Sequence, residues 1–237
     1  VIIAIERNKP EAIDLMLSLV KNDADYEVKP LPSRYPQGAE KVLIERTTGR
    51  EVPRGGLPAD VGVLVMNVTT VSALGKFLAT GMPLTTKRLT VDGPGVKEPK
   101  NAEVIIGTPI REVLDFCGGM EEGAAKVLMG GPMMGTALAS VDFPVLKQNN
   151  GILVFLEKQA KLAAPQPCVR CGRCIEACPL GLSPVEITTH HAQETLLDKL
   201  MVDLCMGCGC CTFVCPARRP VAQTMSLAKA MQRKAGK

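Results

Sequence analysis

The chain has 237 residues, 46% of them hydrophobic, and a formal net charge of +4 from 28 lysines and arginines against 24 acids. That length and apolar fraction suit one to three small globular domains, and the interspersed charges leave no nucleic-acid footprint. Aromatic residues are scarce (no Trp, two Tyr, five Phe), which excludes a stacking platform for single-stranded nucleic acid, and the longest apolar runs, Val61–Met66 and Ile152–Leu156, are too short to span a bilayer.

Val1 to Ile5 reads as a buried strand. Lys9 to Val20 carries helical periodicity at Ala12, Ile13, Leu15, Met16 and Leu19. A strand–helix unit beginning this abruptly, with no initiator Met, predicts that part of an α/β domain precedes Val1. Residues 23–36 hold Pro30, Pro32 and Pro36 without periodicity and read as a loop. A helix is expected from Glu40 to Thr47, ended by Gly49. Residues 50–60 form a second loop. Val61–Met66 is a strand or an extended entry to a helix over Val71–Thr80, with Thr69 or Thr70 as N-cap. Such a junction can offer backbone N–H groups to a phosphate and can equally be a plain capped helix.

Beyond residue 82 the character changes. Leu89–Gly93 is a strand ending in a turn, and Val96–Ile106 continues in the same style. A helix runs to Phe116, with Thr108 capping it, Pro109 at its first position and Gly118-Gly119 at its end. Ala125–Met129 and Ile152–Leu156 are further strands. Gly130-Gly-Pro-Met-Met-Gly135 is neither a P-loop nor a G-x-G-x-x-G turn; its methionines line a turn against a partner surface. No periodic pattern places an acid/base pair, so no catalytic residue is assigned.

A linker with Pro165 and Pro167 leads to the cysteines. Cys168, Cys171, Cys174 and Cys178-Pro179 fit C-x2-C-x2-C-x3-C-P, and Cys205, Cys208, Cys211 and Cys215-Pro216 fit it again. This is the bacterial ferredoxin run, in which three cysteines hold one [4Fe–4S] cluster and the fourth reaches the other cluster. The crossing rule assigns Cys168, Cys171, Cys174 and Cys215 to one cluster and Cys205, Cys208, Cys211 and Cys178 to the other. Two-residue gaps let a turn present three sulfurs to one small object, and glycines in the gaps permit left-handed backbone. Structural zinc favours C-x2-C pairs, and a disulfide framework does not suit so long and apolar a chain. Reduced thiols suit a cytoplasmic setting. Cys117 and Cys210 fall outside the pattern and read as small buried hydrophobes. A helix over about Pro184–Leu200 fills the spacer, where His190 and His191 read as surface residues. A last helix runs from Pro220 to about Lys234, and Lys229, Arg233, Lys234 and Lys237 read as its solvated end.

The order of parts resembles the C subunit of Rnf-type ion-translocating electron-transport complexes (RnfC or RsxC). The resemblance covers essentially the whole chain. It is carried by Tyr35-Pro-Gln-Gly-Ala-Glu40, Asn67-Val-Thr-Thr70, Gly130–Gly135 and the twin cysteine runs. The first two stretches also resemble the NADH-oxidising flavoprotein subunit of respiratory complex I, which carries one terminal cluster where this chain has cysteines for two. The resemblance implies an α+β and α/β multidomain chain. Residues 1–81 would be the C-terminal part of a Rossmann-like domain binding FMN and NADH, and residues 82–159 an SLBB β-grasp module. Residues 160–237 would be a mostly helical, ferredoxin-like domain for two [4Fe–4S] clusters. It implies that Tyr35, Gly38 and Glu40 lie at the FMN/NADH pocket and that Asn67 and Thr70 lie beside the flavin phosphate, the flavin site being completed by residues upstream of Val1. Ala39 and Met66 depart from the complex I pattern.

The function this implies is transfer of electrons between NADH, through FMN, and the two clusters, in a complex whose membrane subunits move Na⁺ or H⁺. The chain would sit peripherally on the cytoplasmic face, with other subunits of the complex and a ferredoxin or iron–sulfur subunit as partners and no nucleic acid. The rival readings are a non-catalytic iron–sulfur wiring and docking module, a cobalamin-reductase-like NADH flavoprotein, and a zinc-stabilised scaffold.

Overall fold

A computed structural model describes residues 1–235; Lys237, expected at the solvated end of the last helix, lies outside them. The chain forms two compact units, residues 1–66 and 67–237. In the first unit, strand β1 (Ile2–Glu6) pairs in parallel with β2 (Glu27–Leu31), joined by helix α1 (Pro10–Val20). The loop expected over residues 23–36 is therefore partly strand. Pro30 hid it: proline lacks the ladder N–H, which is tolerated in a two-stranded sheet where every strand is an edge. Helix α2 (Glu40–Thr48) ends where expected, at left-handed Gly49, whose N–H caps the Glu45 carbonyl at 2.8 Å. Pro58–Val61 forms a 3₁₀ turn closed by left-handed Gly62, so of the strand or extended entry expected over Val61–Met66 only residues 63–66 remain, with no strand partner. Helix α1 buries none of its residues, and Leu15, Leu17 and Leu19 are exposed.

The second unit opens with α3 (Val68–Thr80). Its cap is Asn67 rather than Thr69 or Thr70: Asn67 Oδ1 accepts the Thr69 N–H at 2.9 Å. Then follow β3 (Thr86–Asp92), β4 (Lys100–Ile105), α4 (Ile110–Phe116), β5 (Ala124–Met129), β6 (Thr136–Ala137) and β7 (Gly151–Leu156). They form one sheet in the order β4-β3-β7-β5-β6, antiparallel except for the parallel β3/β7 pair. Alternation along β3 sends Leu89 and Val91 inward and Arg88 and Thr90 outward. The inward residues pack with Ile152 and Val154 of β7 and with Ile110, Val113, Leu114 and Cys117 at α4. Cys117 is thus the small buried hydrophobe expected of it. Gly93 and Gly95 let the chain cross β7 closely; a Cβ on Gly93 would sit 2.3 Å from the Val154 carbonyl oxygen. Thr108 does not cap α4. Its carbonyl accepts the Val145 N–H at 2.8 Å while Pro109 bridges Pro144, so the pair is held extended and Pro109 itself takes the cap position.

A short helix α5 (Glu157–Ala160) leads into irregular chain. Beyond it the described residues contain helices α6 (Arg173–Glu176), α7 (Pro184–Thr189), α8 (Glu194–Lys199), α9 (Cys210–Phe213) and α10 (Val221–Ala235) and no strand. The single spacer helix expected over Pro184–Leu200 is two. Thr189 Oγ1 donates to the Val185 carbonyl at 2.7 Å and His191 Nδ1 lies 3.1 Å from the Thr188 carbonyl. Side chains competing for backbone groups in this Thr-Thr-His-His run break the helix. Both histidines are half-buried at that break. A second core of Leu182, Ile187, Leu197, Val202, Val221, Met225 and Ala228 ties α7, α8 and α10 together, and Cys174, Cys178, Cys205, Cys211 and Cys215 pack against or within it.

Candidate metal centres in the cysteine region

The two cysteine runs fold into the same backbone. In the first, Arg170 and Gly172 are left-handed, with φ of 52° and 78°; in the second, Gly207 and Gly209 take 69° and 84°. A single helical turn follows each, α6 and α9. The fourth cysteines close these turns alike, Cys178 N–H to the Ile175 carbonyl at 3.0 Å and Cys215 N–H to the Thr212 carbonyl at 3.2 Å. Three residues further, Gly181 and Arg218 are again left-handed, at 64° and 53°. Each left-handed turn aims an N–H at the first thiol of its run: Arg170 N–H donates to Cys168 Sγ at 3.4 Å, and Gly207 N–H to the Cys205 thiol.

Two cavities lie beside these turns. Cys168, Cys171, Cys174 and Cys215 share the wall of one with Arg170, Arg173, Arg219, Val185 and Val221. Cys178, Cys205, Cys208, Cys210 and Cys211 line the other, with Met206, Leu182 and Met225 and no charged residue. Each cavity is thus faced by the first three patterned thiols of one run and the last thiol of the other, with Cys210 added at the second. Among the described residues no three His, Cys, Asp or Glu side chains converge closely enough for a single metal ion. A cubane differs: each of its four irons takes one thiolate, so it needs thiols around a volume rather than at a point. The donor set fits that group, and the thiols, with the N–H donors aimed at Cys168 and Cys205, are the groups that would hold it.

The surroundings of the two cavities differ. Cys168 and Cys171 are exposed, and the backbone N–H of Arg170, followed by the Arg219 side chain, pulls the Cys168 thiol below its ordinary range. Burial raises the Cys174 and Cys205 thiols. At the second cavity Cys208 and Cys211 are buried, and burial beside other thiols pushes Cys211 up to about 12. Lys229 is not part of a solvated helix end: half-buried on α10, it donates to the Cys205 carbonyl at 2.5 Å. Cys210 is not simply a buried hydrophobe either. It lines the second cavity, hydrogen-bonds Cys208, and is pushed up to about 11, first by burial. The repeat explains its address, since Cys210 follows the second left-handed glycine as Arg173 does in the first run.

The Gly130–Gly135 turn meets this region. Gly209 comes so close to Met133 that a Cβ would lie 2.7 Å from the Met133 carbonyl oxygen and 3.7 Å from its Cε. The surface these methionines were expected to line is thus, for Met133, the second cysteine run of the same chain.

The nucleotide-site residues divide between the units. In the first, Tyr35 and Glu40 are exposed on the approach to α2, and Gly38 has open space where a Cβ would be. Between them Gln37, not singled out from the sequence, is buried with no hydrogen-bond partner for Nε2. A buried orphan donor costs about 1–3 kcal/mol, the mark of a site that a ligand or water completes. In the second unit, Asn67 and Thr70 stand at the N-terminus of α3, a 13-residue helix whose dipole favours an anion.

Comparison with known proteins places all of these residues in one match, which crosses the boundary between the units. Residues 1–76 match the model of the Nuo51 FMN-binding domain and residues 88–137 that of the SLBB domain. The chain is 44% identical over 197 residues to the C subunit of the Na(+)-translocating ferredoxin:NAD(+) oxidoreductase complex of Acetobacterium woodii, covering 83% of the chain and 44% of that protein. Against the C subunit of the proton-translocating ferredoxin:NAD(+) oxidoreductase complex of Clostridium ljungdahlii it is 46% identical, over 77% of the chain and 40% of the relative. Against the C subunit of the ion-translocating oxidoreductase complex of Rhodobacter capsulatus it is 40% identical, over 82% and 38%. The chain therefore spans about two fifths of the length of these curated relatives, and the resemblance read from its motifs is borne out over most of its residues. An NAD+-reducing [NiFe]-hydrogenase in its H2-reduced state shares the fold, with a TM-score of 0.59 at 17% identity over 97% of the chain and 48% of that structure.

Proposed function

We propose that this chain, similar over about four fifths of its length to the C subunits of ion-translocating oxidoreductase complexes, is the electron-transfer part of such a protein. Electrons pass between NADH and one-electron carriers. When bound, FMN divides a hydride's electron pair and the clusters carry the electrons singly. The chain's own residues do the holding and tuning. Cys168, Cys171, Cys174 and Cys215 hold one [4Fe–4S] cluster, and Cys178, Cys205, Cys208 and Cys211 hold the other. The N–H groups of Arg170 and Gly207 stabilise thiolate charge. Tyr35, Gly38 and Glu40 approach the flavin and nicotinamide, and the α3 N-terminus with Asn67 and Thr70 takes the flavin phosphate. The parts are residues 1–81 for nucleotide, 82–159 as the SLBB β-grasp module and 160–237 as a bacterial-ferredoxin-like cluster domain. Among the described residues no helix is long and apolar enough to cross a membrane, and we place the chain peripherally on the cytoplasmic face of its complex.

The observation that carries this reading is that the eight cysteines of the twin pattern line two cavities, four on one wall and four on the other with Cys210 beside them, each wall drawing on both runs. Iron and acid-labile sulfide analysis of the anaerobically purified full-length protein tests it. About eight of each per chain is expected for two cubanes; zinc without sulfide overturns it. NADH-driven reduction of an artificial acceptor by the FMN-loaded protein tests the flavin part. Its absence with both clusters present leaves a wiring module instead.

A further inference from the structure

The two cysteine runs are one backbone repeated, and one difference between their side chains falls at the left-handed positions. Arg170 occupies the left-handed position that Gly207 takes in the second run, and Arg218 the one that Gly181 takes after Cys178. Left-handed backbone is strained for a non-glycine residue, and glycine at the twin position avoids that strain. Of the three non-glycine residues with positive φ among those described, two are these arginines. Strain held at particular positions points to function there. Arg170 lines the first cavity, and Arg218 stands beside it, between its lining residues Ala217 and Arg219. Arg170 lies within its run, and Arg218 follows Cys215, the thiol that the second run contributes to it. Arg173 and Arg219 add two more guanidinium groups, and no charged residue lines the second cavity.

These arginines are available to a partner. Arg170, Arg173 and Arg218 are exposed, as are Cys168 and Cys171, and Val169 between them is 67% exposed. None of the four arginines pairs with a carboxylate among the described residues; the exposed acids of the neighbouring helices are Glu176 and Glu186. The charges are all arginine, whose planar fork pairs two-to-two with carboxylates. An exposed redox edge, a small apolar centre and a cationic rim together form the surface a negatively charged electron carrier recognises, since rim charges steer encounter and set orientation. At the second cavity Cys208 and Cys211 are buried, and Met133 lies against Gly209.

We infer that the arginine rim of Cys168–Arg173 and Arg218–Arg219 is the docking surface for an acidic one-electron carrier protein, and that electrons cross to or from that partner at the first cavity rather than the second. The inference rests on the proposed clusters. Its test uses the full-length, cluster-loaded protein and the variant Arg170→Gly/Arg173→Gln/Arg218→Gly, which gives both strained positions the residue used by the twin run. Arg219 is kept because it contacts the Cys168 thiol. The probe is a purified acidic two-[4Fe–4S] ferredoxin, with binding followed by titration calorimetry and association by stopped flow. At low salt the variant should associate about tenfold or more slowly and bind correspondingly more weakly, and at high salt the two proteins should converge. Iron content and thermal midpoint should be kept or improved, because the strain is relieved. Equal association at low salt, with iron intact in both, overturns the docking surface and leaves the clusters standing. Iron analysis finding no clusters in the parent protein overturns both. If the variant instead loses binding to vesicles containing phosphatidylglycerol and keeps its affinity for ferredoxin, the rim is a membrane contact and the inference fails.

Discussion

Replacing Gly209 and Gly207 in turn by alanine separates two costs that the structure assigns to neighbouring positions. Both glycines are left-handed, at φ of 84° and 69°, so each alanine incurs roughly 1–2 kcal/mol of backbone strain, offset by about 0.4–1 kcal/mol from a stiffer unfolded chain. At Gly207 nothing lies within 4 Å of the new Cβ, and the cost stops there. At Gly209 the Cβ would lie 2.7 Å from the Met133 carbonyl oxygen, and backbone must move to admit it, at about 1–3 kcal/mol more. Gly209→Ala should therefore be less stable than Gly207→Ala by about 2 kcal/mol, or roughly 4–8 °C in thermal midpoint for a unit of this size. The assay is thermal unfolding of both variants of the full-length protein, anaerobically and at one scan rate, because unfolding with cluster loss is irreversible. A second readout is the rate at which a chelator bleaches the visible absorbance, which should rise in Gly209→Ala as the Met133 turn is pushed off the second run. Equal midpoints and equal bleaching would mean that the Met133 turn does not seat on this run, and the reasoning fails.

Exchange of single thiols tests the crossed partition: Cys178→Ser should perturb the same electron paramagnetic resonance signal as Cys205→Ser, and Cys215→Ser the same signal as Cys168→Ser. If Cys178→Ser matched Cys168→Ser instead, each run would be holding its own cluster. Removing positive charge beside the first cavity with Arg170→Gln/Arg173→Gln should lower one of two midpoint potentials by on the order of tens of millivolts, given charges several ångströms away in a largely aqueous setting; an unmoved midpoint rejects the tuning role. Asn67→Ala removes the acceptor for the Thr69 N–H and should cost about 0.5–2 kcal/mol of α3 stability, read as faster amide exchange in the first turn of that helix, whereas Thr69→Ala should change it little.

The sequence alone carried the elements whose signals are local. The twin cysteine spacing depends on a few bonds of backbone, and the eight thiols it singles out all line the two cavities, with Cys210 beside them at the second. Gly49 and the strand read over Leu89–Gly93, which the structure extends back to Thr86, are local in the same sense. Where readings failed, a competing partner was the cause: Pro30 in a strand that needs only one neighbour, Thr108 held extended by Val145 and Pro144, and Thr189 and His191 taking the carbonyls that a longer helix would have used. What only the tertiary structure decided depends on residues far apart in the chain. It seats Met133 on Gly209, brings Lys229 to the Cys205 carbonyl, and gives Cys210 the place that Arg173 holds in the other run. It also gathers Arg170, Arg173 and Arg219 around one cavity and lines the other with no charged residue, Lys229 donating to the backbone carbonyl of Cys205. Spacing can name the thiols, because ligand geometry repeats along the backbone. Which cavity faces outward is set by what packs over it, and that follows from the whole fold.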